Sequence, residues 1–148
     1  MRIKELEAKF QSEETLEDVL TELQPDFECV DRNAGNMING VADNGQEVIK
    51  ILGELTGTFS NLRTALSIAE TEKKSREIKK YVSLKIEQEN AGKKFVSATG
   101  EIEASESVSS YRRIRNVIDA YKEACQVAIS SLQSMLKYLI TEKNQPPE

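Results

Sequence analysis

Nine residues, Tyr111, Ile114, Ile118, Tyr121, Cys125, Ala128, Leu132, Met135 and Leu139, follow one another at spacings that alternate between three and four without a miss. Only an α-helix collects such a series on one side, and a run of four heptads predicts one long helix that buries this seam against a partner. Val117, Val127 and Leu136 flank the seam and widen the stripe beyond what a single partner helix covers. Further burial is therefore expected, by self-association or by packing of other helices of the chain.

A second seam lies upstream. Val48, Leu52, Leu55, Phe59, Leu62, Leu66 and Ala69 step by four and three in turn, after a capping-box start at Asn44 and Glu47. Gly53 and Gly57 interrupt it, each costing about 1 kcal/mol relative to Ala in a helix interior. Ile78, Tyr81, Val82 and Ile86 carry the pattern to about residue 90 on a thinner stripe, and Asn90, Ala91 and Gly92 read as the stop, with Lys93 and Lys94 suited to the negative helix end. Phe95 to Ala98 reads as a short extended piece, Thr99 as a cap with Glu101 and Glu103 in the first turn, and the serine-rich SESVSS as a delay of the helix start to about residue 107. Proline occurs only at 25, 146 and 147, so nothing breaks either helix. The two seams pair most simply as an antiparallel hairpin, residues 48–69 facing 118–139, with facing numbers that sum to about 187. Helices of some 40 residues would make a rod about 60 Å long.

Ahead of the hairpin, Ile3, Leu6 and Phe10 fall at helical spacing, and Thr15 with Asp18 marks a start before Leu16, Val19, Leu20 and Leu23. Two short helices are expected before Pro25. Residues 31–45 concentrate Asn, Gly and Asp and read as a loop; the Asp31, Asn33, Gly35 pattern lacks the glycine and closing glutamate positions of an EF-hand and is turn chemistry. The expected organisation is an acidic helical segment over 1–30, a linker over 31–45, a helical hairpin over 46–142 and a disordered tail over 143–148. The fold class is all-α: a long antiparallel hairpin with short N-terminal helices, assembling into a helical oligomer.

Histidine is absent, which removes the commonest general base near neutral pH and the usual zinc ligands. Cys29 and Cys125 are two isolated thiols and read as buried and reduced. A carboxylate site for Mg²⁺ at Glu101 with Glu103, or at Glu13, Glu14, Glu17 and Asp18, is weighed against solvated helix faces, which are preferred. No enzyme activity, cofactor, metal or small-molecule substrate is expected. No run of 18 apolar residues exists, and the charged start does not resemble a signal peptide, so a cytoplasmic protein with no membrane partner is expected.

The charge of −5 is unevenly spread: residues 1–47 hold 4 Lys or Arg against 12 Asp or Glu, and residues 48–148 hold 16 against 13. Within 73–115 there are 11 Lys or Arg against 6 Glu. In the hairpin register, Lys73, Lys74, Arg76, Lys79 and Lys80 come opposite Arg112, Arg113 and Arg115, with Lys93 and Lys94 near the turn and Tyr81 and Phe95 as neighbouring aromatics. Clustered cations that release counterions, beside rings on which bases stack, are what single-stranded nucleic acid requires. A merely solvated charged face is the competing reading. Tyr111 belongs to the seam and is expected in the core. The seam residues Leu52, Leu55, Phe59, Leu62, Ile114, Ile118, Tyr121 and Leu132 are expected to form the core or the oligomer contact.

The stretch from about Leu66 to Leu139, with AETEKKSREIKKY and then KKFVSATGEIEASESVSSYRRIRNVIDAYKEACQVAISSLQSML, resembles the phage recombination mediators of the UvsY type. The likeness covers about half the chain. It implies a phage-encoded, ring-forming helical oligomer in the host cytoplasm that binds single-stranded DNA and helps load a recombinase onto strands covered by single-stranded DNA-binding protein. The basic positions it carries over are Lys73, Lys74, Arg76, Lys79 and Lys80. The acidic residues 1–47, the Arg112, Arg113, Arg115 cluster and the lack of a basic group after Leu139 beyond Lys143 depart from the pattern. The alternative is a helical scaffold, adaptor or inhibitor that acts through protein contacts without DNA.

Overall fold

The computed structural model describes residues 3–38 and 44–144, and every regular element among them is helical. In chain order these are α1 (Ile3–Lys9), a 3-10 turn (Glu13–Thr15), α2 (Glu17–Glu22), α3 (Gln24–Ile38), α4 (Gly45–Asn90), α5 (Ser97–Ser107) and α6 (Ser109–Lys143). The all-α class and a hairpin-like course of α4 and α6 are as expected. No described helix is long and apolar enough to cross a membrane. The contacts divide into two compact units: Met1–Thr21 with Ala65–Val117, and Glu22–Thr64 with Ile118–Glu148.

In the second unit, α3 packs on the first half of α4 and on most of α6. Phe27 stacks on Tyr121 with ring centroids 4.2 Å apart, and Asn61 of α4 donates to Asp26 at 3.1 Å. The Cys125 thiol of α6 donates to the Leu55 carbonyl of α4 at 3.3 Å. The linker reading of 31–45 is corrected here. Residues 31–38 are helical because Leu23, Phe27, Val30 and Asn33 present one buried face at helical spacing, and that burial outweighs the poor helix propensity of the Asn and Gly residues. Asn33 keeps its amide satisfied by donating to the Cys29 carbonyl one turn back at 2.9 Å. Pro25 sits in the first turn of α3, where its missing N–H is harmless. Residues 39–43 of the expected linker lie outside the described residues, as do 145–148 of the expected tail; Lys143 still belongs to α6.

The first seam is also shifted. On α4 the buried positions are Val48, Ile51, Leu55, Thr58, Leu62, Ala65, Leu66 and Ala69, so five of the seven expected seam residues are buried, while Leu52 and Phe59 lie half-buried at the edge. A threonine at a core position hides that series from an apolar count. The α6 seam holds better: Ile114, Ile118, Cys125 and Leu132 are completely buried and Tyr121 is half-buried.

In the first unit, Leu6, Phe10, Leu16 and Val19 from the N-terminal segment bury against the second half of α4, α5 and the start of α6, where Ala69, Ala104, Val108, Tyr111 and Ile114 are buried. Arg76 of α4 lies over the Tyr111 ring, 4.6 Å from its centre, a pair whose numbers sum to 187, whereas the Leu55–Cys125 contact of the second unit sums to 180.

The ends of α4 follow the sequence signals. Asn44 accepts from the backbone N–H groups of Gln46 at 3.1 Å and Glu47 at 3.3 Å. At the other end Gly92 takes φ +69°, and the Lys93 and Gly92 amides return to the Gln88 and Glu89 carbonyls at 2.9 and 3.1 Å. That is the Schellman closure, which needs a residue at ease in the left-handed region. The extended piece is shorter than expected: Val96 is its last residue, and Ser97 already opens α5. The break falls instead at Val108, between α5 and α6.

Two helix glycines should respond to alanine with opposite signs. A Cβ on Gly100 would meet the Phe95 ring at 2.5 Å, whereas one on Gly53 meets nothing. Urea titrations should show Gly100→Ala losing about 1–3 kcal/mol by overpacking and Gly53→Ala gaining about 0.5–1 kcal/mol.

Candidate nucleic-acid interface

The basic residues gathered by the sequence separate into two groups. In the first, the charge is occupied within the fold. Arg76 donates to the carbonyls of Phe10 and Gln11 at 3.1 and 2.5 Å, pairs with Glu72 at 3.9 Å and covers Tyr111. Lys73 is half-buried and pairs with Glu77 at 3.8 Å. Arg112 donates to Ser105 at its carbonyl and hydroxyl, 2.8 and 2.5 Å, and so ties the last turn of α5 to α6. Arg113 pairs with Glu17. Arg115 belongs to neither group: it is half-buried, and its Nε finds no hydrogen-bond partner.

The second group is Lys74, Lys79, Lys80, Lys85, Lys93 and Lys94, all exposed and without an ion pair among the described residues. Lys85 was not among the sequence candidates. These lysines do not form one row. At 3.6 residues per turn Lys74 and Lys85, eleven residues apart, share a side of α4, whereas Lys79 and Lys80 point elsewhere. Two sequence expectations are corrected by this. The α4 and α6 cations do not pool into one free surface, because Arg76, Arg112 and Arg113 have partners. The aromatic platform is also taken: Tyr81 and Phe95 meet edge to face, centroids 5.3 Å apart at 85°, over Gly100.

Burial pushes the Tyr111 phenol up, against the opposing pull of Arg76, and its hydroxyl donates to the Phe10 carbonyl at 3.3 Å. It is 2% exposed and belongs to the core, as expected.

Between α4 and α5 runs a groove that sequence reasoning missed. Lys74, Glu77, Ile78, Tyr81, Glu101 and Ala104 line a cavity of about 320 Å³ there. Starting α5 near residue 107 left no partner for that side of α4. The first unit as a whole is balanced, with 14 Lys or Arg against 14 Asp or Glu, so the acidic N-terminal segment offsets the basic stretch it packs on. The net charge of the chain resides in the second unit, at 6 against 11.

Among the described residues no three acidic or thiol side chains converge in a metal-holding group, and Glu17, one member of the weighed acidic cluster, faces Arg113 instead. Cys29 and Cys125 are buried and free. Burial, aided by nearby Cys29 and Asp26, pushes the Cys125 thiol up to about 11. No family model, curated protein or solved structure matches the chain.

Two outcomes follow from these placements. Arg76→Ala should lower stability by about 2–3 kcal/mol, because charge-assisted bonds to two main-chain carbonyls are lost, whereas Lys79→Ala and Lys80→Ala should stay within about 0.5 kcal/mol in the same urea titration. The thiol's folded value lies above its unfolded one, so its contribution is intact below about pH 9 and is lost as pH rises toward 11. The wild type should therefore lose more stability across that window than Cys125→Ala, read by thermal melts at stepped pH.

Proposed function

We propose that the protein is a non-enzymatic helical accessory that binds single-stranded DNA through the exposed lysines of α4 and the α4–α5 connector. Its role would be that of a phage recombination mediator, loading a recombinase onto strands covered by single-stranded DNA-binding protein in the host cytoplasm. The observation that carries this reading is the set of six unpaired, exposed lysines concentrated between residues 74 and 94. Lysines free of carboxylate partners can replace the condensed cations of a phosphate backbone at no cost of breaking an ion pair. The resemblance over residues 66–139 adds the single-stranded DNA and recombinase partners. With Tyr81 and Phe95 turned on each other, the contact rests on phosphates more than on base stacking, which predicts weak sequence preference and steep salt dependence.

A second reading is favoured by a separate observation. Ile78, Val82 and Ile86 stand on the solvent side of α4 at 54%, 46% and 51% exposure. An apolar strip of that kind suits a protein adaptor or scaffold that needs no DNA.

Fluorescence anisotropy with a labelled single-stranded oligonucleotide tests the first reading. Binding at about 50 mM salt is expected, weakening by about 0.7 log units per log unit of salt for each phosphate contact, so four contacts give a slope near −3. The quadruple change Lys79→Glu, Lys80→Glu, Lys93→Glu and Lys94→Glu should abolish binding with helix content retained. A flat titration of the wild type would refute the DNA reading and leave the adaptor.

A further inference from the structure

We infer that the outer strip of α4 is a self-complementary surface on which a second copy of the chain docks antiparallel, about a twofold axis at Val82. Ile78, Val82 and Ile86 recur every four residues on the side of α4 away from the buried Ala69 and Arg76, each about half exposed, with Ile78 at the lip of the α4–α5 groove. Ile102 of α5, 60% exposed, lies beside Glu77, Glu101 and Glu106.

Charge decides the occupant and its direction. Lys74 lies on the groove flank of the strip, and Lys85, eleven residues on, returns to the same flank. Glu77 and Glu101 line that flank, and Glu89 is exposed at the far end of the strip. In an antiparallel helix pair the equivalent flanks of the two copies meet. With Val82 on the axis, facing residue numbers sum to 164: Ile78 of one copy meets Ile86 of the other. Lys85 then comes level with residue 79, beside Glu77 and Glu101, and Lys74 comes level with Glu89 and Asn90. Each unpaired lysine of that flank thus finds a carboxylate on its partner, and the contact occurs twice by symmetry. A parallel pair would instead turn the flank of Lys74 and Lys85 toward the opposite flank of the partner, where Lys79 lies, and away from Glu77 and Glu101. The contact is a few helical turns long, at the low end of specific interfaces of about 1,200 Å², so a micromolar dissociation constant is expected. The geometry is a closed pair. It uses Lys74 and Lys85 and leaves Lys79, Lys80, Lys93 and Lys94 outside, so it stands whether or not the chain binds DNA.

Sedimentation equilibrium of the full chain without DNA, from low to high micromolar concentration, should reveal a monomer–dimer equilibrium. Val82→Glu should leave a monomer with unchanged helix content. Lys85→Glu should weaken the dimer at least tenfold, and adding Glu77→Lys and Glu101→Lys should restore it, a rescue that a general folding defect would not give. Val82→Cys should form a disulfide-linked dimer under mild oxidant, since the native thiols are buried, and Lys80→Cys should not. A monomer at every concentration, a dimer indifferent to Val82→Glu, or a strip that instead binds anionic vesicles as a monomer would each overturn the proposal.

Discussion

One guanidinium holds the first unit together. Phe10 and Gln11 directly follow α1, where the last carbonyls of a helix have no amide to accept from. Arg76 reaches both of them, Tyr111 donates to the first, and Thr15 closes the Lys9 carbonyl at 2.8 Å. A cation at a helix C-terminus also faces the negative end of its dipole. The N-terminal segment, α4 and α6 are thereby fastened at one point, with the Tyr111 ring as its floor. The residue that looks most central to a basic patch is consequently the one least able to leave the fold.

The electrostatic picture changes with that node. Read along the chain, an acidic head precedes a basic body. In the folded chain the acidic residues up to Thr21 pack on the basic stretch and offset it, while the remaining acidic excess goes with the other unit. Arg113 with Glu17 and Lys73 with Glu77 show how this happens pair by pair. An exposed pair such as Arg113 with Glu17 adds little stability, commonly below about 1 kcal/mol. The larger effect of such pairs is to decide which cations remain available to a polyanion.

Periodicity and backbone chemistry were the legible parts of the sequence. The α6 seam, the Asn44 cap and the Gly92 stop are each set by local rules, and each stands where those rules put it. What escaped depends on tertiary contact. The 31–38 segment is helical through the burial of Val30 and Asn33, which its composition conceals. Thr58 occupies a core position that an apolar count skips, so Leu52 and Phe59 took the place of Ile51 and Thr58 in the expected seam. The basic site was half legible: lysines and arginines can be counted, but only the fold distinguishes Arg76, whose partners lie 65 and 66 residues away in sequence, from the unpartnered Lys79.

The second half of α4 therefore works on two sides. Arg76 and Tyr81 face inward to the N-terminal segment and α5, and the same turns present Ile78, Val82 and Ile86 outward. A helix whose apolar residues served only an intramolecular core would carry charge on its far side, as Lys79 and Lys85 do on either flank. Instead Ile78, Val82 and Ile86 leave about half their surface in water at four-residue spacing. In a twofold pair the apolar strip would supply the attraction, while solvent-exposed lysine–glutamate contacts at its flank, weak as attractions, would favour the antiparallel register that brings them together. Affinity and orientation would thus come from different residues of one helix face, and the lysines that neither task engages are those best placed to meet phosphate.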